Sequence, residues 1–496
     1  MAPTSTSGAL IVSLDVGSSS VRTLLFDSHG EQKAGFGEQV PYQITTTTDG
    51  GVEIDPQVLL DLTIEVLGRI HDQMKTAGLH ADAVAFDTFW HSFLGVDGSG
   101  SITTPIIHLF DTRSAKEAEE LTQRLDAKAV HARTGCRLHT SYWPAKLLWL
   151  HRNRRAAFDA TTHWLSFGEF LFLKLFGKPV ASTSMVSGSG LWEQAANNYD
   201  AEVLAALPIR LDQLCPLADL DQRPSSLTAS FREKWPLFDG IPWFPALGDG
   251  ACNNVGSGCT SADDFALMVG TSGAIRVVLE RETVQIPDGL WCYRVDRKRY
   301  VLGGALSNGG DVYAWMHRTL ALPPEQDTEE HLRQSKPGSH GLMVLPFFAG
   351  ERSPYWRSDL HAVIAGMNLA TTPYDILQAA LESVALRFRE VFTIMTGSLE
   401  GTPRIVASGG ALLRSPAWTQ MMADALGLAV VPCLEREATS RGAALLAAET
   451  MGAIHSISEV PARMGKPCLP RAENTSIYVD MLAHQKKLFN KLFLEN

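Results

Sequence analysis

The residues best suited to chemistry in this chain sit in two short turns of one design, VGSSS at 16–20 and VGTSG at 269–273. Each lies between apolar, β-branched runs: ALIVSL and VRTLLF flank the first, FALM and AIRVVL the second. That pattern reads as strand, turn, strand. Glycines and hydroxyl residues in such a turn present backbone N–H and side-chain OH groups with little steric obstruction, a donor set that holds an anion. Two such turns facing each other would hold a polyphosphate between two domains. Asp15, at the end of the first strand, adds a carboxylate beside a phosphate turn, which suits Mg2+. Asp249 stands in a Gly-flanked turn, G-D-G at 248–250, where no side-chain bulk keeps a substrate hydroxyl out of hydrogen-bond reach. Taken singly, each feature has a plainer explanation. A hairpin turn with Gly and Ser is usually only a hairpin, and an Asp before Gly often bonds its own turn. G-x-x-x-x-G-K-S/T is absent, which excludes the P-loop route to a nucleotide, and no G-x-G-x-x-G follows a strand.

The elements that must position these residues alternate between strands and helices, the pattern of α/β domains. At 496 residues the chain exceeds what one hydrophobic core usually serves, and 45% hydrophobic content supplies two. A first domain is expected at residues 9–250, a second at 251–455, and a loop-rich passage with a terminal helix (477–494) at 456–496. Residues 238–258, rich in Gly, Pro and Asn, are the expected hinge. Thr372 and Pro373 open a helix whose Leu377, Leu381, Val384, Phe388 and Phe392 recur on one face as a core stripe. Ser415-Pro416 opens and Gly427 closes another helix. The strand before it, 404–407, runs into Ser408-Gly409-Gly410, where a flat ligand can approach the backbone.

A net charge of -11 with interspersed signs argues against a nucleic-acid partner, so a polyanionic substrate would need a cation and backbone donors. The 7 cysteines are scattered, odd in number and without C-x-x-C spacing, which argues for a reducing compartment rather than disulfides or structural zinc. The opening MAPTSTSG lacks a basic start and an apolar core, and no apolar run approaches the roughly 20 residues of a membrane helix. A cytoplasmic protein without a membrane partner is expected.

Seven motifs then line up in order along nearly the whole chain: D-V-G-S-S-S-V-R (15–22), G-D-G-A (248–251), G-T-S-G (270–273), S-N-G-G (307–310), G-E-R-S-P-Y-W (350–356), S-G-G-A-L-L-R-S-P-A-W (408–418) and R-G-A-A-L-L-A (441–447). Together they resemble the FGGY family of carbohydrate kinases. The resemblance implies two ribonuclease H-like domains of the actin/Hsp70 ATPase type around a deep cleft, with sugar on the N-terminal side and ATP on the C-terminal side. Its activity would be Mg2+-dependent transfer of the γ-phosphoryl group of ATP to a sugar hydroxyl. Carried over by position, Asp249 matches the catalytic base, and Asp15 and Asp249 are the carboxylates on the metal side. Ser18, Ser19 and Arg22 match the loop that meets the transferred phosphate, and Gly270 and Thr271 the second phosphate loop. Gly310 matches a phosphate or ribose contact, while Gly410, Ala411 and Arg414 match the adenosine pocket. Arg414 could instead stack on adenine or pair with Glu437.

The substrate has to be read from the first domain. FDTFWHSFLGVD (86–97) falls where the family places a substrate loop, and Trp90, His91 and Ser92 are its candidate sugar contacts. This run, Asp111-Thr112-Arg113, and the stretch from Thr134 through His139 to Lys146 are most similar to gluconokinase-like members. Asp111 joins the candidate contacts, and Arg113, Lys146 or His91 could meet the carboxylate of a sugar acid. Trp90 replaces the family's usual Met, and Ser166-Phe167-Gly168-Glu169 stands where many members have an Asp-Tyr pair. A ketose such as xylulose or ribulose, or another polyol, therefore remains an alternative substrate. A non-catalytic ATP-binding sugar sensor is the alternative of another class, disfavoured because Asp15 and Asp249 are both retained. Family members are often dimers, so a homodimer is a possible assembly.

Overall fold

A computed structural model describes residues 8–495, so nearly all of the opening segment considered as a leader lies outside the described residues. Two sheets repeat one topology. The first is ordered Leu247–Gly248, Ala83–Thr88, Leu10–Val16, Ser20–Asp27, Gln32–Pro41. Leu10–Val16 and Ser20–Asp27 form the antiparallel hairpin, with Asp15 opposite Arg22. Ala83–Thr88 runs parallel to Leu10–Val16, with Asp87 opposite Asp15, and Leu247–Gly248 runs parallel to Ala83–Thr88. The second sheet is ordered Trp291–Arg294, Arg299–Leu306, Gly273–Glu280, Asp264–Val269, Arg404–Ser408, Val430–Pro432. It too has an antiparallel hairpin followed by parallel strands, with Ser408 opposite Met268. Ligands of such sheets gather beyond the carboxyl ends of the parallel strands. Asp15, Asp87 and Asp249 all reach that edge of the first sheet.

The hairpin strands read as continuous apolar runs because both faces are covered. Ile11, Val12, Leu14 and Val16 are fully buried. One cover is the helix Pro56–Ala77, started by the Asp55 carboxylate on the N–H groups of Gln57 and Val58, with Leu59, Val66, Leu67, Ile70 and Met74 turned inward. The other comes from far along the chain: the helix Ala438–Met451 packs on the first sheet and crosses the helix Asp249–Gly256. A side-chain carbon on Gly442 would run into the carbonyl of Cys252, and one on Gly256 into that of Ala438, so glycine alone permits this approach. The passage expected to act as a hinge is therefore pinned: Leu247–Gly248 belongs to the first sheet and residues 249–256 to this crossing. The junction between the two halves is the helix pair itself.

In the second half, Thr372 and Asp375 form a capping box at the head of Pro373–Thr396, and the expected stripe from Leu377 to Phe392 is buried throughout. Ser415 and Gly427 bound Pro416–Leu426 as read, and the terminal helix, Ala472–Phe493, starts earlier than expected. Between the first sheet's strands the chain builds an extra lobe with its own core of Phe93, Leu121, Trp143, Leu147 and Trp164. That lobe supplies one wall of the cleft. Among the described residues no helix is long and apolar enough to cross a membrane.

Candidate active site

Three carboxylates converge at the edge of the first sheet, and one of them escaped the sequence. Asp15 is 5% exposed, 3.3 Å from the Arg22 Nε, and accepts from the Ser440 hydroxyl at 3.4 Å. Burial pushes its carboxyl up to about 6, opposed by Arg22 and reinforced by Asp249 and Glu437. Asp87 is fully buried and neither of its oxygens has a hydrogen-bond partner. Its pKa is raised by burial first and then by Asp15 and Asp249. Asp249 opens the helix Asp249–Gly256 and accepts from its own Gly250 N–H at 2.7 Å. Its pKa is raised by burial and held back by Arg276. The only sequence signal for Asp87 was an acidic residue in the otherwise apolar run AVAF before it.

Arg22 also pairs with Glu437, so Glu437 is not the partner of Arg414. Asp15, Asp87, Asp249 and the half-buried Glu437 thus face the guanidiniums of Arg22 and Arg276, a surplus of carboxyl groups whose raised pKa values show how poorly their charge is compensated, with both Asp87 oxygens lacking an N–H or O–H donor. Leaving such charge unpaired is costly, and a divalent cation fits the deficit. Among the described residues no three His, Cys, Asp or Glu side chains converge closely enough to hold a metal by themselves.

One cavity of about 720 Å³ joins this edge to both turns, with Asp249, Ser18, Thr271 and Ser272 in its wall. The first turn is held by the Gly17 N–H on the Ser20 carbonyl at 3.0 Å and by the Tyr42 hydroxyl on the Gly17 carbonyl at 2.6 Å, which leaves Ser18 and Ser19 exposed. The second is stitched to the start of the helix Gly310–Thr319 by the Gly310 N–H on Gly270 (2.8 Å) and the Asp311 N–H on Thr271 (3.1 Å). Gly310 in turn lies against Ala411, and Arg414 folds back toward Gly410. Gly270, Thr271, Gly310, Gly410, Ala411 and Arg414 therefore form one neighbourhood on the second domain.

The far end of the cavity is aromatic. Trp90 covers the G-D-G segment, whose glycines have no room for a side-chain carbon beneath the indole, and its Nε1 donates to the Ser184 carbonyl at 3.0 Å. His91 has φ 67° and donates from Nδ1 to the Gly188 carbonyl at 2.5 Å. Burial pulls His91 and His139 down to about 3, so both are neutral. Tyr142, Trp291, Tyr293 and Trp356 complete this end.

Four of the candidate sugar contacts lie outside the cavity wall. Ser92 is buried and turns its hydroxyl back to the Trp90 carbonyl. Arg113 forks onto Asp111 at 2.6 Å and Glu53 at 2.6 Å while lying over Trp149, a closed network that also occupies Asp111. Lys146 is 1% exposed and donates to the His108 and Ser141 carbonyls at 2.6 and 3.2 Å; burial lowers its pKa to about 7. Neither cation expected to meet a carboxylate faces the ligand space. Arg276 and Arg352 do, and sequence reading had left both unassigned. For Arg276 the signal was a cation inside the buried strand AIRVVL; Arg352 sat unused in the quoted G-E-R-S-P-Y-W.

Comparison with known proteins bears on the whole chain. Residues 10–256 match the model of the N-terminal domain of the FGGY family of carbohydrate kinases, and residues 265–451 match that of its C-terminal domain. Gluconokinase of Bacillus subtilis (strain 168) is 26% identical over 469 residues, 92% of this chain and 90% of the relative. Xylulose kinase of Staphylococcus xylosus is 24% identical over 490 residues, 97% of this chain and all of the relative. The structure of gluconate kinase from Lactobacillus acidophilus superposes with a TM-score of 0.91 over 98% of this chain and 99% of that one, at 24% identity, a likeness of fold alone.

Proposed function

The chain belongs to the FGGY family of carbohydrate kinases, a two-domain phosphotransferase of the actin/Hsp70 type, and from that premise we propose that it transfers the γ-phosphoryl group of ATP to a hydroxyl of a sugar acid such as gluconate. One observation carries the reading: a single cavity holds Asp249, both phosphate turns and an aromatic end able to shield a sugar from water. The similarity to gluconokinases favours an acid over a ketose.

In this mechanism Asp249 accepts the proton of the sugar hydroxyl as its oxygen bonds to the γ-phosphorus and the bridging oxygen departs with ADP. Trp90 above the G-D-G segment fixes the carbon chain so that one hydroxyl points at Asp249 and the others do not. Thr271 and the N–H groups of its turn hold the donor phosphates, with Ser18, Ser19 and Arg22 across the cleft. Asp15 and Asp87, with Asp249, would hold Mg2+ together with the donor's phosphates and water; bound there, the ion neutralises phosphoryl charge. Gly310, Gly410, Ala411 and Arg414 receive the nucleoside. Movement about the Gly256–Gly442 crossing would close the cleft and exclude water that otherwise takes the phosphoryl group.

The test is ADP release from Mg-ATP across sugar acids, ketoses, polyols and glycerol, with Asp249→Asn as control. Turnover that requires a sugar acid and disappears in the variant is expected. Release indifferent to every sugar would overturn the kinase reading; turnover of a ketose alone would overturn the substrate.

A further inference from the structure

Two guanidiniums line the cavity without a salt bridge among the described residues: Asp249 acts on Arg276 and Glu351 on Arg352 only from beyond ion-pair distance. Arg276 points in from the strand Gly273–Glu280, 8% exposed, with its Nη1 buried and unpartnered. Arg352, in the segment after Gly350, has its Nε buried and unpartnered and gives one Nη2 hydrogen bond to the Leu306 carbonyl at 2.8 Å. Neither joins a salt bridge among the described residues, whereas the more deeply buried Arg387 has both Glu351 and Glu390. Arg276 lies so close to the backbone at Gly250 that a side-chain carbon there would be 3.2 Å from its Nε, which puts its fork next to the residue after Asp249. Arg352 is near enough to depress the pKa values of Arg276, His91 and His139.

The two arginines share the cavity with aromatic rings, neutral imidazoles and the Asp249 and Glu351 carboxylates, neither of which closes an ion pair with them. A neutral polyol in this space would leave the buried Nη1 of Arg276 and Nε of Arg352 without an anion in contact, which is costly. A carboxylate pairs them, and the flat guanidinium fork fits a carboxylate in bidentate fashion. The two first-domain cations suited to that task, Arg113 and Lys146, are spent on Asp111, Glu53 and two backbone carbonyls.

Resting on the kinase reading above, we propose that Arg276 and Arg352 together read the carboxylate of the sugar acid and exclude neutral sugars of the same length. Selection for charge is thus made by second-domain residues that meet the loop carrying Trp90 and His91, since Arg276 and Trp90 both lie against Gly250.

The measurement compares gluconate with gluconamide, the same chain with its charge removed, as kcat/KM in the wild type, Arg276→Gln, Arg276→Lys and Arg352→Gln. A charged hydrogen bond lost from each site should cut the preference for gluconate by roughly 10–100-fold, carried mainly by KM. Calorimetric titration of gluconate without nucleotide should show the same weakening, and Arg276→Lys should recover part of it. An equal loss on both substrates, or a collapse of kcat with KM unmoved, would assign the arginines to the transferred phosphoryl group and overturn the proposal while leaving the kinase intact. A wild type that phosphorylates no sugar acid would fail earlier and overturn the substrate reading itself. Melting curves with and without gluconate separate misfolding from lost recognition, since a folded variant that gluconate still stabilises as much as wild type also overturns the proposal.

Discussion

The two hairpins share a topology and almost a sequence, yet their strand ends carry opposite chemistry. Aligned on VGSSS and VGTSG, Asp15 falls where the second hairpin has Met268, and its parallel neighbour Asp87 falls where the second sheet has Ser408. The first sheet thus ends in paired carboxylates and the second in a thioether and a hydroxyl. The lesson is a division of labour on one scaffold. The backbone of both turns can donate to phosphate oxygens, but only the first half sets paired carboxylates at its strand ends, so it can attract a cation and take a proton. The second half offers neutral donors at its strand ends and two arginines without a salt bridge, which suit anions.

The sharpest way to break the comparison is to remove the base from the acidic half. Asp249→Asn keeps the volume and the bond from Gly250 but cannot accept a proton, so kcat should fall by about 10²–10⁴-fold. ATP binding, followed by calorimetry, should persist. Because burial raises the pKa of Asp249, wild-type activity should also decline as pH drops toward that raised value, while the variant's residual rate should lose that limb. A variant with wild-type kcat would remove Asp249 from the chemistry.

The next change makes the first half resemble the second. Asp87→Ser deletes a buried carboxyl group that has no N–H or hydroxyl donor and lies against the Asp15 carboxyl, so the folded state without Mg2+ should gain stability by about 1–3 kcal/mol. Function should move the other way, with at least a tenfold higher Mg2+ concentration needed for half-maximal rate. The signature is a rise in Tm together with a loss of metal affinity measured by titration of Mn2+. Should Tm fall and the Mg2+ dependence stay put, Asp87 would be structural.

How much of this was legible depended on whether function lay in local pattern or in register. The hairpins, the Thr372 and Ser415 caps and the Leu377 to Phe392 stripe are local, and the sequence shows them. Asp87 gains meaning only from its parallel register with Asp15, which lies 72 positions away in the chain. Arg276 looks like an oddity in a strand until the fold turns it toward Gly250. Arg113 and Lys146, cations beside apparent substrate motifs, instead make ion pairs and hydrogen bonds within the protein: Asp111 and the Ser141 carbonyl are near in sequence, but Glu53 and the His108 carbonyl are brought to them only by the fold. The same holds for the helix Ala438–Met451, which lies in second-domain sequence but packs into the core of the first sheet.

A third change asks whether the two halves work as one through their junction. Gly442→Ala would gain helix propensity in isolation, but its methyl group meets the Cys252 carbonyl across the helix crossing, and overpacking of this kind costs about 1–3 kcal/mol. Thermal unfolding should shift down, and the sugar-dependent rate should fall more than ATP affinity, because closure needs both halves whereas nucleotide binding engages chiefly the second. Unchanged unfolding would mean that the helices part easily.

The smallest effect belongs to the neutral half. Thr271→Val removes one hydroxyl from the second turn but leaves its N–H groups and the bonds from Gly310 and Asp311 to the turn's carbonyls. One lost hydrogen bond is worth about 1 kcal/mol, roughly a fivefold rise in KM for ATP, with KM for the sugar unmoved. Its modest size is what the comparison requires: where backbone donors share the work, no single side chain is indispensable, whereas a lone carboxylate in the acidic half is. A hundredfold loss of kcat in Thr271→Val would erase that contrast and put side-chain chemistry in both halves.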